Sequence, residues 1–405
     1  MRNFIVVGIV LFTTAFACGG DWPGYLGPQH NGASAETGLL RAWAKDGPKK
    51  LWEKNVGSGW SGVAAAGNQL ILFHRIGDEE IVECLVASSG KTIWKQSLPT
   101  GYVDDFNFDD GPRGTPAISG GLVYVLGAEG RLACLKLADG SKVWEQKLAE
   151  AYPFRKGYFG VGTSPLVVDG RLFVNVGGKG AGVVAFDAKS GNELWKATDH
   201  KAGYSSPTVA TLDGKKRIVF LTRDGLLVLD PENGKVIHDR PFRARIDASV
   251  NAATPLVQGN QVFVTSSYNT GALLLEAGAG GFKEIWKNDE SLSCHYNTPV
   301  PAEKHLFGIH GRQEYGADLR CVEWATGNVV WEKKRFGCAG LIAVDGLIVA
   351  AVETGEIVLL EANAKEYREL GRVQALGEKM RAAPALSDGR LFIRDTKKLA
   401  AFAVK

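Results

Sequence analysis

The stretches "CLVASSGKTIW" (84–94), "CLKLADGSKVW" (134–144), "AFDAKSGNELW" (185–195) and "CVEWATGNVVW" (321–331) share one spacing: a small residue, a Gly six places on, and a Trp four places after that. "VLDPENGKVIH" (228–238) repeats the unit with His238 in the Trp position, and "LLEAGAGGFKEIW" (274–286) is a longer version of it. With Trp52 included, the Trp-equivalent positions are 52, 94, 144, 195, 238, 286 and 331, at intervals of 42 to 51 residues. Periods of this size belong to solenoids, propellers and arrays.

Each unit has an earlier half of the same kind. "GTPAISGGLVYVLGAEGRLACL" (114–135) has partners in "TSPLVVDGRLFVNVGGKGAGVVAF" (163–186), "ATPLVQGNQVFVTSSYNTGALLL" (253–275) and "AAPALSDGRLFIRDTKKLAAF" (382–402). Each reads as three short apolar strands separated by Gly turns, with the Trp-bearing strand as the fourth. Four such strands make one propeller blade. The 51 glycines among 405 residues exceed the ordinary share of about 7%, as many tight turns require. Helical periodicity is absent over any long window, so the expected fold is all-β. Seven full units are followed by three strands at 380–404, and the missing fourth is available at the other end of the chain, in "KKLWEKNV" (49–56). Pairing the two ends closes an eighth blade and leaves no open edge between the first blade and the last. The expected organisation is therefore a signal segment (1–17), an irregular lead-in (18–48) and one eight-bladed propeller (49–405).

The N-terminus carries Arg2, an apolar run from Phe4 to about Phe16, and Ala15-Phe16-Ala17. This is the pattern of a secretory signal with an A-x-A exit, and the run is short for a membrane span. Cys18 follows directly and is a candidate for lipidation; plain export with cleavage after Ala17 is the alternative. The chain has 47 basic and 44 acidic side chains, a net charge of +3. Such a balance shows no basic stripe for nucleic acid. Cys84, Cys134 and Cys321 fill the small position of the repeat and are expected to be packing residues. Cys294 and Cys338 open adjacent units, the one arrangement in which a bridge is conceivable. With no C-x-x-C in the chain, a zinc ribbon, thioredoxin-type chemistry and covalent c-type haem all lack their signal.

The spacing of the repeat resembles the tryptophan-docking repeat of quinoprotein propellers. Together with "DWPGYLGP", "GPRGTPAI" and "LRCVEWATGNVVW", it makes the chain similar to the PQQ-like (pyrroloquinoline quinone-like) β-propeller repeat family over nearly its whole length. That family embraces quinoprotein alcohol dehydrogenases and the outer-membrane protein assembly lipoprotein BamB. For the dehydrogenases the resemblance implies a quinone held over a vicinal Cys-Cys disulfide, stacked on a Trp, with calcium held by acidic and amide groups. This chain has no Cys-Cys and no set that matches the calcium ligands. For the assembly lipoprotein it implies an exported, non-catalytic scaffold. The expectation is accordingly a BamB-like binding or scaffolding protein of the periplasm or outer membrane. It acts as a monomer with no cofactor and takes an envelope protein or a small polar ligand. A PQQ- and calcium-dependent oxidoreductase with an atypical site is the alternative.

Propeller ligands meet the central funnel, where the connections into the innermost strands converge. Those connections carry Trp60, Arg113, Arg155 with Tyr158, Tyr204, Arg245 with Asn251, His295 with Asn297, and Arg381. Cations, rings and amides converging from several blades are how a site for a polar or anionic ligand is built. The stretch "YVDDFNFDDGPRGTP" (102–116) approaches a calcium loop, but its Gly is one place late and no Glu closes it. It reads better as a rim loop whose acids pair with Arg113 or neighbouring bases.

Overall fold

The structure, a computed structural model, describes residues 20–377 and 379–405. The signal segment and Cys18 lie outside the described residues. Eight sheets of four antiparallel strands follow one another around a ring. In the first, Ala64–Ala66 is innermost, followed by Gln69–Ile76, Glu79–Val86 and Thr92–Pro99. The helical content among the described residues is one turn at Leu148–Ala151 and a 3-10 turn at Gln313–Tyr315, and no helix there is long and apolar enough to cross a membrane.

Register explains the repeat. The small residue of each unit lies on the third strand, directly opposite the Trp position on the fourth: Cys84 faces Trp94, Cys134 faces Trp144, Ala185 faces Trp195 and Cys321 faces Trp331. A bulge follows each pair and turns the Trp towards the next blade. There the indole N–H donates to a turn carbonyl: Trp94 to Leu137 at 2.9 Å, Trp144 to Ala188 at 3.0 Å, Trp195 to Pro231 at 3.0 Å and Trp331 to Asn363 at 2.8 Å. The Gly of the unit is the surface on which the preceding blade's indole lies. Gly140 has φ +73°, and a Cβ on it would overlap the Trp94 ring. Only Gly meets both demands. The five described cysteines are free and buried. Burial pushes the Cys84 thiol up to about 11 and those of Cys134 and Cys321 up to about 12, which suits packing and not reactivity.

The chain ends meet as the repeat requires. Lys50–Asn55 pairs with Lys398–Ala403, with Trp52 opposite Ala401, and completes the eighth sheet. Lys54 of this closing strand reaches the buried carboxylate of Glu83 in blade one at 3.2 Å. Arg394, 2% exposed, donates to the carbonyls of Phe73 at 3.2 Å and Gly57 at 2.9 Å across the same seam. Blade seven departs from the pattern: Gly371 stands opposite Leu359 in the Trp position. Trp43 of the lead-in lies on it, its ring 3.2 Å from where a Cβ would stand. The blade made from two chain ends has no turn to receive a tryptophan, and the lead-in supplies the missing ring instead.

The lead-in also crosses the central channel. Trp22 bridges Ala65 of blade one, Pro23 accepts from Ile118 of blade two, and Ala33–Ser34 adds a short parallel strand to the inner edge of blade seven. These contacts fall at or near the far ends of the innermost strands. One end of the channel is therefore covered, and the other forms a blind funnel.

Candidate functional site

The innermost strand of each blade starts at the open end of the funnel. The connections between blades, and the turns between second and third strands, therefore share that face. They enclose a cavity of about 380 Å3, near the small end of the range for ligand pockets. Tyr25 and Leu26 of the lead-in reach into it from the covered end; small residues such as Gly162, Ser164, Ser206 and Ala252 line its walls. A collar of rings stands above them.

Seven of the ten residues singled out in the sequence line this cavity: Trp60, Arg113, Tyr158, Tyr204, His295, Asn297 and Arg381. Arg155 and Arg245 are exposed on the rim, in connections whose later residues Tyr158 and Ala248 do line it. Asn251 points into the protein. Its amide donates to the carbonyls of Thr222 and Phe242, and its oxygen accepts from Ser266 at 2.8 Å. It holds the blade-five connection in place.

Arg113 and Arg381 carry one side of the site. Arg113 lies 5.0 Å from the Trp60 ring centroid and Arg381 lies 4.7 Å from it. Arg113 donates to Asp104 at 2.6 Å, with the carboxylate fully buried. Arg381 donates through two nitrogens to one oxygen of Glu353, at 3.1 and 2.9 Å, while Tyr296 donates to the other at 2.6 Å. Both charges are thus matched before any ligand arrives. The acid-rich stretch is spent on architecture. Asp104 also accepts from the Phe106 amide at 2.9 Å, Asp109 from the amides of Gly59 and Gly111, Asp110 from the Asp104 amide, and Asp105 pairs with Lys156 at 2.8 Å. This frame turns Phe106 and Phe108 outward, stacked at 6.0 Å and each half-exposed.

The opposite wall is a hydrogen-bonded chain. Gln313 donates through its amide to Glu314 at 3.0 Å, which leaves its oxygen facing His295 Nδ1 at 2.9 Å. The proton therefore sits on Nδ1, and His295 Nε2 accepts from Tyr268 at 2.8 Å. Burial first, and then the Arg312 and Arg381 charges, hold His295 below its usual range, so the ring is neutral near pH 7. Tyr268 occupies a turn in which it and Asn269 both have φ near +60°, a conformation that favours Gly or Asn. That strained position places the phenol against His295.

The sequence reading passed over Phe106, Phe108, Phe159, Tyr268 and the 312–314 turn. The last had a legible signal, since the residues between strands at His310 and Asp318 outnumber those of the other units. The two phenylalanines were hidden inside an acidic run. The residues do not fit the calcium and quinone arrangement of the dehydrogenases. No adjacent cysteines exist, two guanidinium groups overlie Trp60, Glu353 is engaged by Arg381 and Tyr296, and no group of three potential metal ligands forms among the described residues.

Comparisons with known proteins agree with this architecture. Among solved structures, BamB from Moraxella catarrhalis superposes with a TM-score of 0.67 at 15% identity, over 88% of this chain and 99% of that one. A quinohemoprotein alcohol dehydrogenase from Pseudomonas putida HK5 superposes at 0.64 with 13% identity, over 95% of this chain and 80% of that one. That from Comamonas testosteroni does so at 0.54 with 16% identity, over 97% and 81%. At these identities the likeness is one of fold. No curated protein matches the sequence. The sequence profile described as "Outer membrane protein assembly factor BamB" matches residues 77–333. Since this is well over half of the 405 residues, the chain belongs to that family.

Proposed function

We propose that the protein is an exported, non-catalytic propeller of the bacterial envelope that binds or scaffolds a partner at the funnel mouth. The observation that carries this reading is the pairing state of the mouth. The charged groups that line its cavity are engaged through Arg113–Asp104, Arg381–Glu353 and Arg312–Glu314, while its rings Phe106 and Phe108 face solvent. A site that poises a base or nucleophile leaves titratable groups aimed at substrate; this one leaves apolar surface, which marks recognition. The family's assembly-factor description points the same way. Export by residues 1–17 and acylation of Cys18 belong to this reading, and the mass of the mature N-terminus distinguishes acylated from plain Cys18.

The test is crosslinking in envelope extracts from the native host with wild-type protein and with Phe106→Ser/Phe108→Ser. A consistent partner captured by the wild type and lost in the variant supports the proposal; equal capture by both removes the mouth from it. Likeness to the alcohol dehydrogenases motivates a second assay. Dye-linked alcohol oxidation by purified protein given PQQ and calcium would replace the binding reading with an oxidoreductase.

A further inference from the structure

We infer that the mouth seats an acidic, extended segment of a partner protein, anchored by one apolar side chain that enters between the rings. The inference rests on the binding role proposed above and names the chemistry of what is bound.

The first observation is where the exposed rings are. Among the described residues the exposed large aromatics are Phe106, Phe108 and Tyr315, at 50%, 52% and 82% exposure, and all three lie on the mouth face. Val103 and Ile246, more than half exposed, lie there too. Phe106 also packs on Tyr158 and Phe159, at 5.9 and 5.5 Å, so the outer rings continue into the cavity wall as one apolar surface. Exposed patches of this kind mark interaction sites. The cavity behind them ends at Tyr25 and Leu26. It has the depth for a side chain and no exit for a chain threading through.

The second observation is a set of donors without acceptors. Trp60 Nε1, Arg113 Nε and Arg312 Nε are buried and have no hydrogen-bond partner among the described residues; all three residues line the cavity. Buried donors are ordinarily satisfied. What is missing at this mouth is oxygen, and the carbonyls of an extended backbone beside an inserted side chain supply it.

The third observation is charge. Lys156 is matched by Asp105, and Arg243 by Asp247. Arg155 and Arg245 are exposed and pair with no carboxylate among the described residues. Two unmatched charges of the rim are therefore positive. These two cations stand on the connections into blades three and five, on separate parts of the rim. A compact anion does not reach both, whereas a chain laid across the mouth does. Rim cations of this sort steer and select more than they hold.

The experiment uses the mature protein and three fluorescein-labelled peptides: GDEGFGEDG, its counterpart with Lys at every acidic position, and the acidic peptide with Gly in place of Phe. Anisotropy is read at low and high salt. The expected result is that GDEGFGEDG binds tightest and weakens on raising salt. Its affinity falls about tenfold or more with Phe106→Ser/Phe108→Ser, the size of a lost anchor. It falls severalfold with Arg155→Glu/Arg245→Glu, mostly through the association rate. All four substituted residues are at the surface, and an unchanged melting temperature confirms the fold of each variant. Equal or tighter binding of the Lys peptide, still dependent on Phe106 and Phe108, overturns the acidic class and leaves the mouth as a binding seat. Binding that none of the variants weakens overturns both the inference and the seat. No binding of any peptide at millimolar concentration overturns the inference, and the crosslinking result then stands alone for the proposed function.

Discussion

The seams between blades and the mouth of the funnel are built from the same residue types to opposite ends. At a seam a Trp is placed by register, donates its N–H to a carbonyl 2.8–3.0 Å away, and covers the Gly of the next blade. At the mouth, Trp60 lies beneath two guanidinium groups with its N–H unpartnered, and Phe106 and Phe108 are turned to solvent. The seam tryptophans are satisfied and repeated; Trp60 at the mouth is unsatisfied, and it, Phe106 and Phe108 each occur once. A residue that serves packing recurs wherever the packing recurs. A residue that serves recognition has no reason to.

This contrast is easiest to break at a seam. Trp94→Ala removes a ring that is 8% exposed, leaves a cavity between blades one and two and leaves the Leu137 carbonyl with the Gln69 amide as its donor. It is expected to cost about 3–5 kcal/mol, read as a drop in the denaturation midpoint with little change in slope. Trp43→Ala tests the exceptional seam. The ring is only partly buried, so a loss of about 2 kcal/mol is expected, and no loss would mean that blade seven needs no substitute tryptophan. If the lead-in pins the blind end as well, limited proteolysis should cut near residue 43 sooner in this variant.

A smaller effect comes from a buried acid on the mouth side of the first seam. Glu80, 1% exposed, accepts from the Ala128 amide of the next blade at 2.8 Å, and burial raises its pKa to about 7. Because the folded value lies above the unfolded one, the protonated acid contributes fully below about pH 4.5. That contribution is lost as pH rises through about 7. Glu80→Gln should therefore match the wild type near pH 5 and be more stable at pH 8.5, by on the order of 2 kcal/mol. Melting curves at the two pH values decide it, and an equal shift at both would exclude ionisation as the cause. The smallest expected stability change is at the mouth. Phe106→Ser/Phe108→Ser should stay within about 0.5 kcal/mol of the wild type, as exposed substitutions do, while abolishing partner capture. A large loss of stability would place these rings with the seams.

The opposed histidines and carboxylates of the blades set the acid limb of stability. Burial, and then Arg320, lowers His310 to about 4. A depressed folded value means stability present above the unfolded pKa and lost as pH falls through about 4. Glu83 works in the same direction. Burial raises it, but hydrogen bonds from His74, Thr92 and Lys54 carry it down to about 2. Acid destabilisation should therefore reach blade six first, through His310, and the seam between blades eight and one at lower pH, through Glu83.

The 42- to 51-residue period, the Gly-to-Trp spacing and the spare strand at 49–56 were sufficient for the number of blades and for closure. Each blade buries the same surface against its neighbour, and identical packing writes an identical pattern. The aromatic and cationic residues of the connections were visible for the same reason, as departures from that pattern. What each one faces was not visible. Asn251 turns inward to satisfy two carbonyls, Arg155 and Arg245 stay on the rim, and Phe106 is thrust out of an acidic run by the hydrogen bonds of Asp104 and Asp109. The pairing of Gly371 with Trp43 and that of Ala33 with Ala343 join residues more than 300 positions apart, with no repeat to announce them. The sequence alone determined the blades because strand register is periodic and local. The funnel was decided by tertiary structure, because eight non-equivalent connections meet there and the direction of each side chain depends on turns and distant partners that no local pattern encodes.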